Sequence, residues 1–227
     1  MAAGAQPRQL ALALPHEERL SRDDFLEGEG NAAALALIDR WPDWPNRVML
    51  LIGPEGCGKS HLATIWSERA GARVISAQAL TAELVPSSLA TGALVVEDID
   101  RGEPDQPALF HLMNLARQDD ACLLMTSRTA PAAMNVGLRD LMSRLRAVPV
   151  IDVAPPGDAL LRALIVKLCA DRQMLVDESL VGYLATRIER TFAAAKHAVD
   201  LLDCEGLRRG RPVTRQLAAE LLRHAEP

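Results

Sequence analysis

The stretch Arg47-Val48-Met49-Leu50-Leu51-Ile52-Gly53-Pro54-Glu55-Gly56-Cys57-Gly58-Lys59-Ser60 decides the fold of this 227-residue chain. The apolar run from Val48 to Ile52, bounded by Pro45 and Gly53, reads as a strand buried on both faces, the kind that parallel sheets use. Gly53 to Ser60 then satisfies the pattern G-x-x-x-x-G-K-S/T at every fixed position. Helical spacing begins near Lys59 and continues through Trp66 to Ala70, which completes a strand, loop and helix in that order. The order suits phosphate. Glycines let backbone N–H groups converge on anionic oxygens, and the helix N-terminus adds partial positive charge. Lys59 is then placed to reach β- and γ-phosphates, and the Ser60 hydroxyl to ligate Mg2+.

Outward from this unit, similar apolar runs recur at Arg73–Ser76, Ala93–Val96, Ala121–Thr126 and Val148–Val153, each separated by enough residues for a helix. Five buried strands alternating with helices predict an α/β fold with a five-stranded parallel sheet. A helix is also expected over Asn31–Arg40, stopping at Trp41-Pro42. After Pro155-Pro156 the pattern changes. Asp158–Arg172, Asp177–Arg190, Phe192–Leu202 and Thr214–His224 all show helical periodicity with no further strand between them, and Pro155-Pro156-Gly157 is the candidate hinge. The expected organisation is a tail over 1–22, an α/β base over 23–154 and an all-helical part over 155–227.

A second chemical signal is Ala93-Leu94-Val95-Val96-Glu97-Asp98-Ile99-Asp100. A buried strand that ends in carboxylates places them at the carboxyl edge of the sheet, where open α/β folds hold phosphates. One carboxylate can hold Mg2+ and the next can orient an attacking water. Glu97 takes the metal position and Asp98 the base position.

Composition narrows the function. Hydrophobic residues make up 49% and charged residues 24%, ordinary for a globular protein. Twenty-five basic against thirty acidic residues leave a net charge of −5, with no basic stripe, which argues against holding nucleic-acid backbones by bulk charge. The one dense basic run, Arg208, Arg209 and Arg211, reads as a solvated loop. Aromatics are 3%, too few for stacking platforms along a single strand. Cys57, Cys122, Cys169 and Cys204 lie far apart, so they read as buried small hydrophobes in a reducing compartment rather than zinc ligands or a disulfide framework. No apolar run approaches the ~18 residues of a membrane span, and Arg8, Pro15 and His16 interrupt any signal-peptide core. A cytoplasmic protein without membrane contact is expected.

With Lys59-Ser60-His61-Leu62, the division into a base and a helical part, and Ser143-Arg144-Leu145 just before the last strand, the chain resembles the AAA+ ATPases, and within them the DnaA branch. The resemblance runs from about Phe25 to Leu222. The sequence carries no helix-turn-helix DNA-binding domain after it, and in this it is similar to the Hda-type family of DnaA-related regulators, which inactivate the initiator after replication begins. The resemblance implies that ADP or ATP, with Mg2+, is held by Gly53, Pro54, Glu55, Gly56, Cys57, Gly58, Lys59, Ser60 and His61. It implies that the helical part is a lid whose Arg190 is the sensor 2 residue, with Arg187 as the alternative. Ser127 and Arg128 fall in the sensor 1 region, and Arg144 matches the arginine finger that acts on a neighbouring subunit's nucleotide. Gln9-Leu10-Ala11-Leu12-Ala13-Leu14 matches the Q-L-x-L-x-L pattern of ligands of the sliding clamp of DNA polymerase III. Extended backbone there puts Leu10, Leu12 and Leu14 on one side, with Gln9 as the polar anchor.

The implied function is an adaptor on the DNA-loaded clamp that promotes hydrolysis of ATP held by DnaA and so restrains initiation, without sequence-specific DNA contacts of its own. The clamp and DnaA are the implied partners, with a second copy of the chain as a further candidate. Two departures from the family pattern weaken the case for strong self-hydrolysis: Glu97 stands where Asp is usual, and Arg128 where Asp is frequent. Two other readings stay open at this level, a self-sufficient P-loop ATPase or small-molecule kinase, and a helicase-loader-type AAA+ protein.

Overall fold

The computed structural model describes residues 20–223; the clamp-ligand pattern at Gln9–Leu14 lies outside them. The described residues form two compact units, one up to Gly157 and one from Asp158 onward.

The first unit contains β1 (Val48–Ile52), β2 (Arg73–Ser76), β3 (Ala93–Glu97), β4 (Cys122–Ser127) and β5 (Val150–Asp152). They form one parallel sheet in the order β2-β3-β4-β1-β5. Its helices are α1 (Ala32–Arg40), α2 (Lys59–Ala70), the single turn α3 (Val85–Ser88), α4 (Gln106–Gln118) and α5 (Arg139–Ala147). Period-two alternation sends Val48 and Leu50, Leu94 and Val96, Leu123 and Met125 to one face of the sheet, against α3, α4 and α5. Met49 and Leu51, Ala93 and Val95, Cys122 and Leu124 go to the other, against α1 and α2. Two cores therefore sandwich one sheet, which explains why the inner strands read as continuous apolar runs.

The expectation of five buried strands holds for β1, β3 and β4 only. β2 and β5 are the two edges, with one neighbour each, and are largely exposed. Val74 on β2 is 45% exposed.

The second unit is helical throughout its described residues: α6 (Asp158–Asp171), α7 (Glu178–Arg187), α8 (Phe192–Arg209) and α9 (Arg215–Arg223). Leu161, Ile165, Leu180, Leu184, Val199, Leu202 and Ala218 form its buried interior. Asp177 and Thr191 cap α7 and α8 by accepting the N–H groups of Leu180 and Ala194. Two boundaries differ from expectation. α7 stops at Arg187, because Ile188 turns extended, and α8 continues to Arg209, where Gly210 at φ 59° closes it.

That longer helix corrects the reading of the basic run. Arg208 and Arg209 are not in a loop but in the last turn of α8, paired with Glu205, and Arg209 also with Glu220. Cys57, Cys122 and Cys169 are buried as expected, whereas Cys204 is exposed on α8. Among the described residues no helix is long and apolar enough to cross a membrane.

Candidate functional site

Because all five strands run parallel, their carboxyl ends share one edge, and the loop Gly53–Ser60 leaves that edge from β1, between β4 and β5. The backbone is tightly held at its start. Gly53 N–H donates to the Ser127 carbonyl at 3.2 Å, and a Cβ at Gly53 would lie 2.1 Å from the Val153 carbonyl oxygen. Gly56 and Gly58 take φ of 72° and 102°, in the region that disfavours side chains. Gly58 is the N-cap of α2, and no side chain caps this terminus. The first N–H groups of a helix that lacks such a cap are available to an anion.

Lys59 folds along this loop, 7% exposed. Its ammonium donates to the carbonyls of Gly53 at 2.7 Å and Pro54 at 2.9 Å. Cys57 Sγ lies 3.8 Å from the same Nζ. Burial pushes the Cys57 thiol upward, and the nearby Lys59 charge only partly offsets it, so Cys57 serves as an apolar wedge under the loop. Pro54, Glu55 and Ser60 are exposed, and Gly56 and His61 half-buried.

The carboxylates stand at the same edge. Glu97 ends β3 half-buried, and its Oε1 is inaccessible and has no hydrogen-bond partner. Asp98 adopts φ 56° and donates its N–H to Thr126 Oγ1 at 2.9 Å; its carboxylate lies 3.6 Å from Arg101. Thr126 and Ser127 are almost fully buried at the end of β4. Among the described residues no cluster of three or more His, Cys, Asp or Glu could hold a metal unaided. A serine hydroxyl and an orphaned carboxylate oxygen are hard donors that fit Mg2+ when phosphate oxygens complete the shell.

Asp100 escaped the sequence-level assignment. It accepts the N–H groups of Arg128 at 3.0 Å and Thr129 at 2.9 Å, and the Thr129 hydroxyl at 2.9 Å. Partial burial raises its pKa, but these donors outweigh burial and hold it below the usual carboxylate range. The loop after β3 is thus strapped to the loop after β4. The only available signal was a third acid two residues beyond Asp98. Arg128 itself extends its guanidinium to Glu55, Nη1 to Oε2 at 2.7 Å, so the loop after β4 reaches the loop after β1.

A second omission is the segment before α1. Ser21 offers its carbonyl to His61 Nε2 at 3.0 Å, and Phe25, buried, meets the His61 ring edge-on with centroids 5.0 Å apart. Asn31, 1% exposed, holds this segment by accepting from Gly28 N–H and donating to the Leu26 carbonyl. Phe25 in a polar stretch ahead of Gly28-Glu29-Gly30-Asn31 was the visible hint.

Arg144 lies on α5, half-buried, and makes no ion pair among the described residues. Arg190 belongs to the second unit, exposed in the loop before Thr191. Arg187, in the last turn of α7, lies over the Tyr183 ring, 5.5 Å from its centroid.

No protein-family model matches the chain. It is 25% identical over 213 residues to the chromosomal replication initiator protein DnaA of Lactobacillus delbrueckii subsp. bulgaricus, covering 82% of this chain and 47% of that protein. The chain thus spans about half the length of the curated relatives it matches. Among solved structures it is similar to domain III of Thermotoga maritima DnaA, with a TM-score of 0.77 at 18% identity over 94% of this chain and 100% of that one. It is also similar to AMPPCP-bound DnaA from Aquifex aeolicus, with a TM-score of 0.66 at 18% identity over 83% and 67%. Five parallel strands flanked by helices, with the phosphate-type loop at their carboxyl edge, give the chain an AAA+ fold like that of domain III of DnaA, a protein to which its sequence is also distantly similar.

Proposed function

We propose that the chain is a nucleotide-bound regulator of the Hda type, akin to the alphaproteobacterial HdaA, which docks on the sliding clamp and promotes hydrolysis of ATP held by DnaA. In this reading ADP or ATP lies along Gly53–Ser60, with its phosphates on the loop N–H groups, Lys59 and the open terminus of α2. Phosphate would draw the Lys59 ammonium from the Gly53 and Pro54 carbonyls, which are neutral acceptors. Ser60 and Glu97 hold Mg2+, which shields phosphate charge when bound, and Asp98 is the acid positioned to orient water. Support comes from the loop geometry, from the orphaned Glu97 oxygen, and from the AMPPCP carried by the Aquifex aeolicus relative.

The observation that carries the regulatory part is Arg144. A half-buried guanidinium on the base, with no carboxylate partner among the described residues, is free to meet a partner's phosphates. Such a group acting in trans is worth about 10³–10⁵ in hydrolysis rate. The tail Gln9–Leu14 is assigned to the clamp by its sequence pattern, and the helical unit is assigned as the lid.

The test is turnover of DnaA-bound ATP with DNA-loaded clamp. The chain should accelerate hydrolysis and Arg144→Ala should abolish the acceleration while still co-sedimenting with the clamp. Undiminished stimulation by Arg144→Ala would sink the finger assignment. Deletion of residues 9–14 should remove clamp capture, and retained capture would refute the tail assignment.

A further inference from the structure

Helix α5 carries three arginines against one aspartate, and they do not all face the same way. Arg139, Met142, Ser143 and Arg146 recur at i, i+3, i+4 and i+7, so they share one side of the helix. Arg144 lies about 140° round the helix from Arg139, and Asp140 about 100°, at 3.6 residues per turn. Leu141 and Leu145 turn a third side into the core. The Arg139 side, with Val136, lines an open cleft of ≈ 350 Å³. Arg139, Ser143 and Arg146 are exposed there, and Met142 and Val136 are half-buried. Neither guanidinium has a carboxylate partner among the described residues, whereas Arg22, Arg47, Arg172 and Arg209 all do.

Two unpaired guanidiniums with a hydroxyl between them form a donor set for phosphate, because arginine takes it in a two-pronged hydrogen bond and serine adds a further donor. Seven residues at 1.5 Å each set the two arginines about 10 Å apart along the axis, a spacing for anions that repeat along a polymer rather than for one compact anion. The open cleft agrees, since small-molecule sites bury most of their ligand. A protein partner would need a buried aromatic or aliphatic anchor, and Met142 and Val136 offer little apolar area for one. No aromatic ring lines the cleft, so the bases of a single strand have nothing to stack on. A duplex needs no such platform, because its backbone alone presents the charge.

We propose that the Arg139–Arg146 side of α5 is a contact surface for the sugar–phosphate backbone of duplex DNA, with one phosphate at each guanidinium and the Ser143 hydroxyl donating between them. The contact is independent of base sequence and separate from the side that carries Arg144. The net charge of −5 keeps it weak, and the local excess of arginine on α5 gives it a place. A weak contact suffices for a chain that another segment already holds beside DNA, where the effective concentration reaches the millimolar range. The surface itself requires neither a nucleotide on Gly53–Ser60 nor a clamp.

Fluorescence anisotropy of a short labelled duplex of random sequence, titrated with the full chain from about 50 to 200 mM salt, tests it. Two phosphate contacts predict that log K falls against log salt with a slope of about −2. Replacing both arginines, Arg139→Ala with Arg146→Ala, should remove most of that slope and weaken binding about 10- to 100-fold at the lowest salt. Both side chains are exposed, so folding should survive, and a thermal melt checks this. Arg208→Ala with Arg209→Ala, on α8, removes the same charge elsewhere and should leave binding within about twofold, since a distant exposed charge is screened. A single strand of the same length should bind more weakly than the duplex. Absence of duplex binding at the lowest salt overturns the proposal. So does an equal loss in the α8 variant, which would make the effect one of bulk charge, or a preference for the single strand. A polyglutamate peptide is the remaining probe: if the α5 variant lost polyglutamate but kept the duplex, the surface would belong to an acidic protein and the proposal would fall. Because the titration contains neither clamp nor nucleotide, its failure would leave the regulatory reading standing.

Discussion

At the residue scale, Gly53 shows how a local motif depends on distant atoms. The fit of any side chain there is blocked by the Val153 carbonyl oxygen, 2.1 Å from where a Cβ would stand. Gly53→Ala should therefore destabilise the base by about 1–3 kcal/mol, the cost of forced overpacking, seen as a lower urea midpoint at unchanged m. Asp100 gives a pH-dependent counterpart. Its folded pKa lies below the ordinary carboxylate value, so its contribution to stability is fully present above about pH 4 and fades as pH falls through the depressed folded value. Asp100→Asn should lower stability at neutral pH and flatten the decline on acidification below about pH 4, as read by denaturant titrations at successively lower pH. Lys59 and Ser60 could be named from eight consecutive residues because loop chemistry there is local. The Arg128–Glu55 and Asp100–Thr129 contacts could not, because their partners lie on different loops and meet only when three strands align in register.

At the scale of elements, strand position in the sheet governs tolerance. Leu124 on β4 is fully buried between two strands and beneath a helical layer, whereas Val74 on the edge strand β2 is 45% exposed. Leu124→Ala should cost about 2–5 kcal/mol and Val74→Ala less than about 1 kcal/mol, by equilibrium unfolding of the two variants side by side. Apolar runs revealed that strands exist, since five are found where five were expected. They did not reveal which strands are edges, because edge or centre is set by which neighbours pair, and not by the strand's own residues. Helix ends were legible where a cap is local, as at Asp177 and Thr191. The extension of α8 through Gly206 was less so. A Cβ at Gly206 would lie 2.9 Å from Val213 Cγ2, so this glycine accommodates the returning chain rather than breaking the helix.

At the scale of the whole molecule, bound nucleotide should act as part of the fold. At 100 times its dissociation constant a ligand adds about 2.7 kcal/mol, which for a chain of this size corresponds to a rise in Tm of roughly 5–10 °C. A thermal melt with Mg2+ and ADP measures it, and Lys59→Ala should erase the rise by removing the cation that the loop places at its centre. By itself the sequence determined what depends on neighbours along the chain: the α/β class, the phosphate-type loop, the acids that end β3 and the change to an all-helical second part. Periodicity, glycine placement and residue chemistry act over a few residues, so they can be read from a string. Tertiary structure alone decided the strand order, the exposed edges, the strapping of the β3 and β4 loops by Asp100, and the pairing of Arg128 with Glu55. Those features depend on which sequence-distant groups are brought within a few ångströms when the sheet buries its two faces.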